Sequence, residues 1–321
     1  MHPADPAAAA TPLLLGIDLG GTKSAALIGT PQGEVLLRRS APTPAREGPD
    51  AVTALLVRLA REVLAQAPGP VAGIGVSAGA PSDARTGRVF EAPNLPGWGH
   101  DEGIPLADRL SAALDGLTVA LENDANATAL AEHRFGAGRG AADMAFLTVG
   151  TGVGAGLILQ NRLFRGATEA GGEIGHVAVE PGGRPCACGL RGCLEAYASG
   201  PSLARIAVER GFRGEPTGQA VVEAARTGNE AALDALAQAA EMLGRGIATL
   251  CMVVNPEVVV LGTLAVHAGD LLLPRVRQVV ARNTWPRIHQ DLRVVPAALG
   301  DRAQDLAALC AWLARAGGDA P

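Results

Sequence analysis

The sequence is almost devoid of lysine: of its 27 basic residues, only Lys23 is one. It also lacks any block of like charge, and its formal net charge is -5. Such a chain offers no electrostatic footprint for nucleic acid. No apolar run is long enough to span a bilayer. The opening residues MHPADPAAAATP lack the basic start and apolar centre of a secretory signal. These absences lead us to expect a cytoplasmic protein with neither nucleic acid nor membrane among its partners.

Apolar residues, by contrast, make up 48% of the 321, enough for a large core and, by length, for two domains. Composition leans toward Ala, Gly, Pro and Arg, so the single lysine stands out. It lies in the most glycine-rich of the early turns. Strands and helices alternate along the chain. LLLGIDLG (13–20) reads as an apolar strand ending in glycines, with SAALIGT and EVLLRR as antiparallel neighbours. Residues 50–66 carry Val52, Leu55, Leu56, Leu59 and Val63 at helical spacing. A strand follows at 71–77. The Pro/Gly-rich segment from Ala78 to about Gly103 reads as a loop too polar and interrupted to be core. LTVALEN (117–123) is a strand, and a helix opens near Asp124. MAFLTVG and GAGLILQ form a strand, turn and strand. Residues 200–254 are mostly helical. PEVVVLG, a helix near 269–281, the strand LRVVPA and a closing helix complete the chain. GIDLGGTKSAALI and LTVGTGVGAGLIL echo one another, which suggests a duplicated α/β architecture.

Both echoing turns suit an anion. Asp18-Leu19-Gly20-Gly21-Thr22-Lys23 sets a carboxylate at a strand end, then two glycines, a hydroxyl and a cation. Paired glycines let backbone N–H groups approach a phosphate, and Asp18 can hold magnesium through water. Gly150-Thr151-Gly152-Val153-Gly154 offers the same donors without fixed charge. No helix follows it directly, so it is a poor dinucleotide fingerprint, and the Walker pattern is missing. Either turn alone could be an ordinary glycine hairpin; the pair, with Asp18 attached, points to phosphate. In Glu122-Asn123-Asp124-Ala125-Asn126, Asp124 is either a helix N-cap or a carboxylate able to take a proton from a hydroxyl attacking phosphorus. Asn123 can donate and accept hydrogen bonds to a polyol.

Three of the five cysteines, Cys186, Cys188 and Cys193, follow His176 closely. Three thiolates and one imidazole form a closed tetrahedral set for structural zinc, with glycines at 182, 183, 189 and 192 supplying the turns. An odd cluster of three fits a disulfide poorly. Cys251 and Cys310 lie in apolar helical contexts and read as buried thiols.

Taken together, these motifs resemble the ROK family of sugar kinases and repressors over nearly the whole chain. DLGGTK and LTVGTGVGAGLI resemble its phosphate motifs, and ENDANA its catalytic-aspartate segment. GGEIGHVAVEPGGRPCACGLRGCLEAYAS resembles its signature, and NPEVVVLG the strand before the adenosine site, with Gly262 and Thr263 after it. The resemblance implies a two-lobed actin-like ATPase (ribonuclease H-like) fold with sugar and ATP in an interlobe cleft. It implies a small α/β lobe over 1–122, joined by a C-terminal helix at about 301–321, and a large α/β lobe over 123–300 holding the zinc motif. It implies sugar contacts from Gly79, Asn94, Asn123, Asp124, Glu173, His176 and Glu195, with Asp124 the catalytic base, and a homodimer. Asn94 could equally be a turn former, and Glu195 a helix N-terminal charge. Two departures stand out: SAGAPSD (77–83) replaces a Gly-Pro-Gly-like turn, and Thr263 replaces a second glycine. The expected reaction is ATP-dependent phosphorylation of a hexose 6-hydroxyl, with glucose preferred. Alternatives are an N-acetylhexosamine, mannose or fructose kinase, a polyphosphate-dependent variant, or a silent sugar-sensing protein. Too little chain precedes the first strand for the helix-turn-helix domain of the family's repressors.

Overall fold

The computed structural model describes residues 12–316, which form two compact units, 12–127 with 302–316 and 128–301.

The first unit is built on a sheet of order β3-β2-β1-β4-β7. β1 (Leu13–Leu19) is buried along almost its whole length, as a central strand must be. It pairs antiparallel with β2 (Lys23–Gly29), which pairs antiparallel with β3 (Val35–Pro42), a partly exposed edge. α1 (Pro49–Leu64) starts on a proline, whose missing N–H costs nothing there. It buries Val52, Leu55, Leu56, Leu59 and Val63, the stripe legible in the sequence. β4 (Val71–Ala78) lies parallel to β1. The short hairpin of β5 (Ser82–Asp83) and β6 (Arg88–Val89) follows, then α2 (Leu106–Ala113). β7 (Val119–Asn123) pairs parallel with β4 and runs directly into α3 (Asp124–Phe135).

The Pro/Gly-rich segment departs from expectation. Val89, Leu95 and Trp98 are fully buried and belong to the same core as Leu106 and Leu110. Bridges Val89↔Ile104 and Ala92↔Leu95 pair part of its backbone, so it can lie inside, although the buried Trp98 indole N–H has no partner among the described residues. Glycines with φ of +81°, +78° and +59° at 97, 99 and 103 make the bends.

The second unit repeats the plan. Its sheet has the order β10-β9-β8-β11-β12. β8 (Met144–Val149) pairs antiparallel with β9 (Val153–Leu159), which pairs antiparallel with β10 (Arg162–Phe164). A loop-rich stretch leads to α4 (Glu195–Ala198), α5 (Gly200–Glu209), α6 (Gly218–Arg226) and the long α7 (Glu230–Val254). α7 opens where the Asn229 side chain accepts the Ala232 N–H, and it closes on left-handed Asn255 (φ 47°) just before Pro256. β11 (Val258–Leu261) and β12 (Arg293–Pro296) add to β8 in parallel. Between them lie α8 (Leu264–His267), α9 (Gly269–Asn283) and α10 (Pro286–His289). The echo seen in the sequence is therefore a repeated sheet: two antiparallel and two parallel pairings in the same order. Even a hydrogen bond past the strand end recurs, Gly79 N–H to Leu19 O (2.9 Å) and Gly262 N–H to Leu147 O (2.8 Å).

The chain returns to the first unit as α11 (Ala303–Ala316), which lies across β1 and β4. Cys310 of α11 and Cys251 of α7 are both buried. Among the described residues, no helix is long and apolar enough to cross a membrane.

α11 approaches the sheet at backbone distance because the facing strand residues are glycines. A β-carbon on Gly75 would stand 2.0 Å from the Ala308 carbonyl oxygen, and one on Gly73 would stand 2.2 Å from the Trp312 ring. Gly75→Ala is therefore expected to cost about 3 kcal/mol of stability by overpacking. Urea unfolding measures this, and an unchanged midpoint would show that α11 does not sit this close.

Candidate functional site

In the first unit, parallel register gathers the candidate residues at one sheet edge. Asp18 pairs with Ser77 and Ser77 with Glu122; one step on, Leu19, Ala78 and Asn123 are aligned. The chain then leaves the three strands at Gly20, Gly79 and Asp124. The carboxyl ends of parallel strands are where open α/β sheets bind ligands.

The turn at 20–23 depends on close packing. A β-carbon on Gly20 would meet the Lys23 carbonyl at 2.6 Å, and one on Gly21 would meet Asn94 Cβ at 2.6 Å. Thr43, unnoticed in the sequence, braces this turn from just beyond β3. Its hydroxyl donates to Gly20 O (2.7 Å) and lies 2.8 Å from the Ser24 hydroxyl, and its N–H donates to Thr22 O (2.9 Å). The available signal was the hairpin register, which sets the end of β3 opposite Lys23. Thr22 and Lys23 are exposed.

Gly79 marks the point of convergence. A β-carbon there would lie 3.7 Å from Asp124 Oδ2 and 3.9 Å from Asn94 Nδ2, and Asn94 Nδ2 donates to Gly79 O at 3.0 Å. Asn123 is engaged at both ends: Oδ1 accepts the Ala125 N–H (2.9 Å) and Nδ2 donates to Ala80 O (3.3 Å). Asn123 therefore caps α3, and Asp124 is left facing solvent. Although Asp124 is accessible, desolvation by the surrounding protein pushes its carboxyl above the usual range, against backbone N–H groups that lower it. Asp18 is pushed up to about 6, first by burial and then by the charges of Asp305 and Asp124, opposed by Arg38 and Lys23. Arg38 Nε donates to Asp305 at 2.9 Å.

In the second unit, Gly150 N–H donates to Gly152 O (2.9 Å) and Gly150 O accepts the Gly200 N–H (2.7 Å). Thr151 is exposed at the tip. Gly262 follows β11, and Thr263 next to it has φ 46° and ψ -96°, a strained backbone for a β-branched residue. Its hydroxyl lies 3.2 Å from that of Thr148.

His176, Cys186, Cys188 and Cys193 come together, one ligand atom from each lying within 4.8 Å of all the others. Cys188 and Cys193 Sγ are 3.7 Å apart, and Cys186 Sγ is 3.8 Å from His176 Nδ1. Two thiolates on one tetrahedral zinc would stand about 3.8 Å apart. Left-handed glycines build the loop, with φ +88° at Gly189 and +82° at Gly192. Glu173 Oε2 lies 3.9 Å from His176 Nε2, the ring nitrogen other than the one beside Cys186. Glu195 Oε2 accepts the Val153 N–H (2.9 Å), and Oε1 lies 3.8 Å from Cys186 Sγ. It is thus more than a charge at a helix start.

Residues 14–315 match the sequence model of the ROK family. The chain is 35% identical to a glucokinase of Thermotoga maritima, over 95% of this chain and 98% of that one. It superposes on a ROK hexokinase from Thermus thermophilus with TM-score 0.84 and 36% identity, covering 95% of this chain and 100% of that one. A ROK glucokinase from Streptomyces griseus, solved with glucose and AMPPNP, gives TM-score 0.78 and 33% identity at the same coverage.

Two stability effects follow from this geometry. A carboxyl whose folded pKa is about 6, against an ordinary 3.8, holds its proton better folded than unfolded. Folding stability thus falls as pH rises through that window, and the full penalty persists above it. Asp18→Asn removes the penalty. The ligand-free variant is expected to be more stable than the parent by up to about 2 kcal/mol at pH 8, after allowance for partial exposure, and equal to it below pH 4. Denaturant titrations at several pH values test this, and a gain independent of pH would contradict it. Thr263→Gly should raise stability by about 1 kcal/mol, strain relief outweighing the extra chain entropy. A lowered melting temperature would show that Thr263 is at ease.

Proposed function

The chain belongs to the ROK family, and we propose that it is an ATP-dependent hexose kinase acting on the sugar 6-hydroxyl, with glucose as preferred substrate. The observation that carries this reading is the convergence of Asp124, Asn94 and Gly79 beside the glycine turn that follows Asp18. It sets a proton acceptor and a polyol-binding amide next to a phosphate cradle on one actin-like α/β sheet edge. Relatives named as glucokinases, and one solved with glucose and an ATP analogue, support sugar and ATP as the substrates.

In this mechanism the sugar 6-hydroxyl donates its hydrogen bond to Asp124. The raised pKa of that carboxylate makes it a better proton acceptor than an ordinary aspartate. The hydroxyl oxygen forms a bond to the γ-phosphorus as the bond from phosphorus to the ADP oxygen breaks, and the proton passes to Asp124. Backbone N–H groups of Gly20 and Gly21, the Thr22 hydroxyl and Lys23 receive phosphate oxygens. Gly150, Thr151 and Gly152 offer a second set of donors, and Gly262 and Thr263 contact the adenosine. Asp18 would hold the hydration shell of a magnesium ion brought in with ATP, and that ion would neutralise phosphate charge. Asn94, Asn123, Glu173, His176 and Glu195 orient the sugar. The Cys/His set fits zinc in donor type and spacing and leaves no open position, so a bound ion would hold the loop and do no chemistry. The family resemblance supports a homodimer and a place in hexose catabolism.

Asp124→Asn is expected to lower turnover about a thousandfold with the fold intact. An ADP-release assay measures it, and near-normal phosphorylation would refute the base assignment. Run on the parent chain with glucose, mannose, fructose and N-acetylated hexosamines, the assay ranks substrates. Silence with every sugar would favour a sugar-sensing protein.

A further inference from the structure

Val153, the first residue after the second glycine turn, is held from both sides by segments that carry metal ligands. On one side its N–H donates to Glu195 Oε2 at 2.9 Å, and Glu195 is two residues from Cys193. On the other side its carbonyl packs so closely on Gly175, next to His176, that a β-carbon on Gly175 would lie 2.1 Å away. The Glu195 carboxylate also leaves no room at the turn itself, since a β-carbon on Gly152 would stand 2.5 Å from Oε2. Its other oxygen lies 3.8 Å from the ligand sulfur of Cys186. The Leu194 N–H donates to Val177 O at 3.0 Å, so the two ligand-bearing segments are also tied to each other.

We infer that Glu195 is a positioning residue that couples occupancy of the Cys/His metal site to nucleotide binding at the 150–154 turn. The inference rests on the kinase reading and on the zinc assignment. Zinc fixes Cys186 and Cys193, and Cys193 fixes the backbone that aims Glu195. Glu195 in turn fixes the orientation of the Val153 amide and, through it, the donors of Gly150 to Gly152. Without the metal the carboxylate loses its anchor, and the turn must be ordered at the expense of nucleotide affinity. Glu195 thus has a duty toward the phosphate side in addition to any contact with sugar.

The test is a linkage cycle with the full chain and no sugar present, so that sugar contacts play no part. Affinity for the magnesium complex of AMPPNP is measured by calorimetry with zinc bound and after chelation, for the parent, Glu195→Ala and Glu195→Gln. In the parent, zinc removal should weaken binding about fivefold or more. Glu195→Ala should bind weakly even with zinc, and chelation should change its affinity less than twofold. Glu195→Gln keeps an oxygen acceptor for the Val153 N–H and should retain the parent's affinity when loaded with zinc. Equal chelation effects in the parent and Glu195→Ala, or no effect in the parent, would overturn the coupling and leave the kinase reading intact. Failure of the parent to bind AMPPNP in any state would overturn the kinase reading itself. Purified protein without zinc would overturn the coupling and the metal assignment only. Should the stripped chain unfold, the zinc-loaded variants decide the matter. Glu195→Ala must then weaken AMPPNP binding several-fold without sugar while Glu195→Gln does not, and equal affinities would overturn the inference.

Discussion

Everything proposed for catalysis depends on the register of three parallel strands. β1, β4 and β7 are aligned so that Asp18, Ser77 and Glu122 share one row, and the chain leaves all three strands within two residues of it. A shift of one residue would turn every side chain on the slipped strand to the opposite face. Asp18 would then leave the glycine turn, and Asp124 would no longer meet Gly79 and Asn94. The register is secured by burial on both faces and by α11, whose seat on Gly73 and Gly75 admits no other side chain at the contact. Site geometry and core packing are thus the same constraint.

The second sheet repeats the register without the acids. The shared bonds from Gly79 to Leu19 and from Gly262 to Leu147 align the two halves. On that alignment Phe146 stands where the first half has Asp18, and Ala297 where it has Asp124. One copy of the plan therefore carries the charged groups, and the other offers backbone donors and hydroxyls. This division suits a reaction in which one partner must lose a proton and the other is held as a polyanion.

How much of this was legible in the sequence varies with how local each cause is. The stripe of α1, the two hairpins, the cysteine spacing and the duplicated plan are each specified within a few neighbouring residues, and each can be read directly. Burial of Leu95 and Trp98 was not legible, because it depends on a non-local bridge between Val89 and Ile104 that frees an irregular segment to enter the core. Thr43, and the hold of Glu195 on the Val153 N–H, were not legible for the same reason. Each acts on a glycine turn distant in sequence, and nothing in its own neighbourhood marks it. Thr263 was flagged as a departure, but its left-handed backbone is visible only in three dimensions.

The two glycine turns also differ in reach. β1 ends at the residue whose carbonyl takes the Gly79 N–H, whereas β8 runs on through Thr148 and Val149 past the matching bond from Gly262. The second hairpin therefore overhangs its sheet by two residue pairs, about 7 Å. Mechanically it is a cantilever, and the tip of a cantilever wanders unless something props it. The first turn, flush with its sheet, needs only a threonine beside it. The second is propped at its tip by Gly200 and at the last strand pair before the tip by Glu195, and the cysteine-rich loop behind Glu195 serves as the abutment. An enzyme with a shorter second hairpin would have less need of that loop.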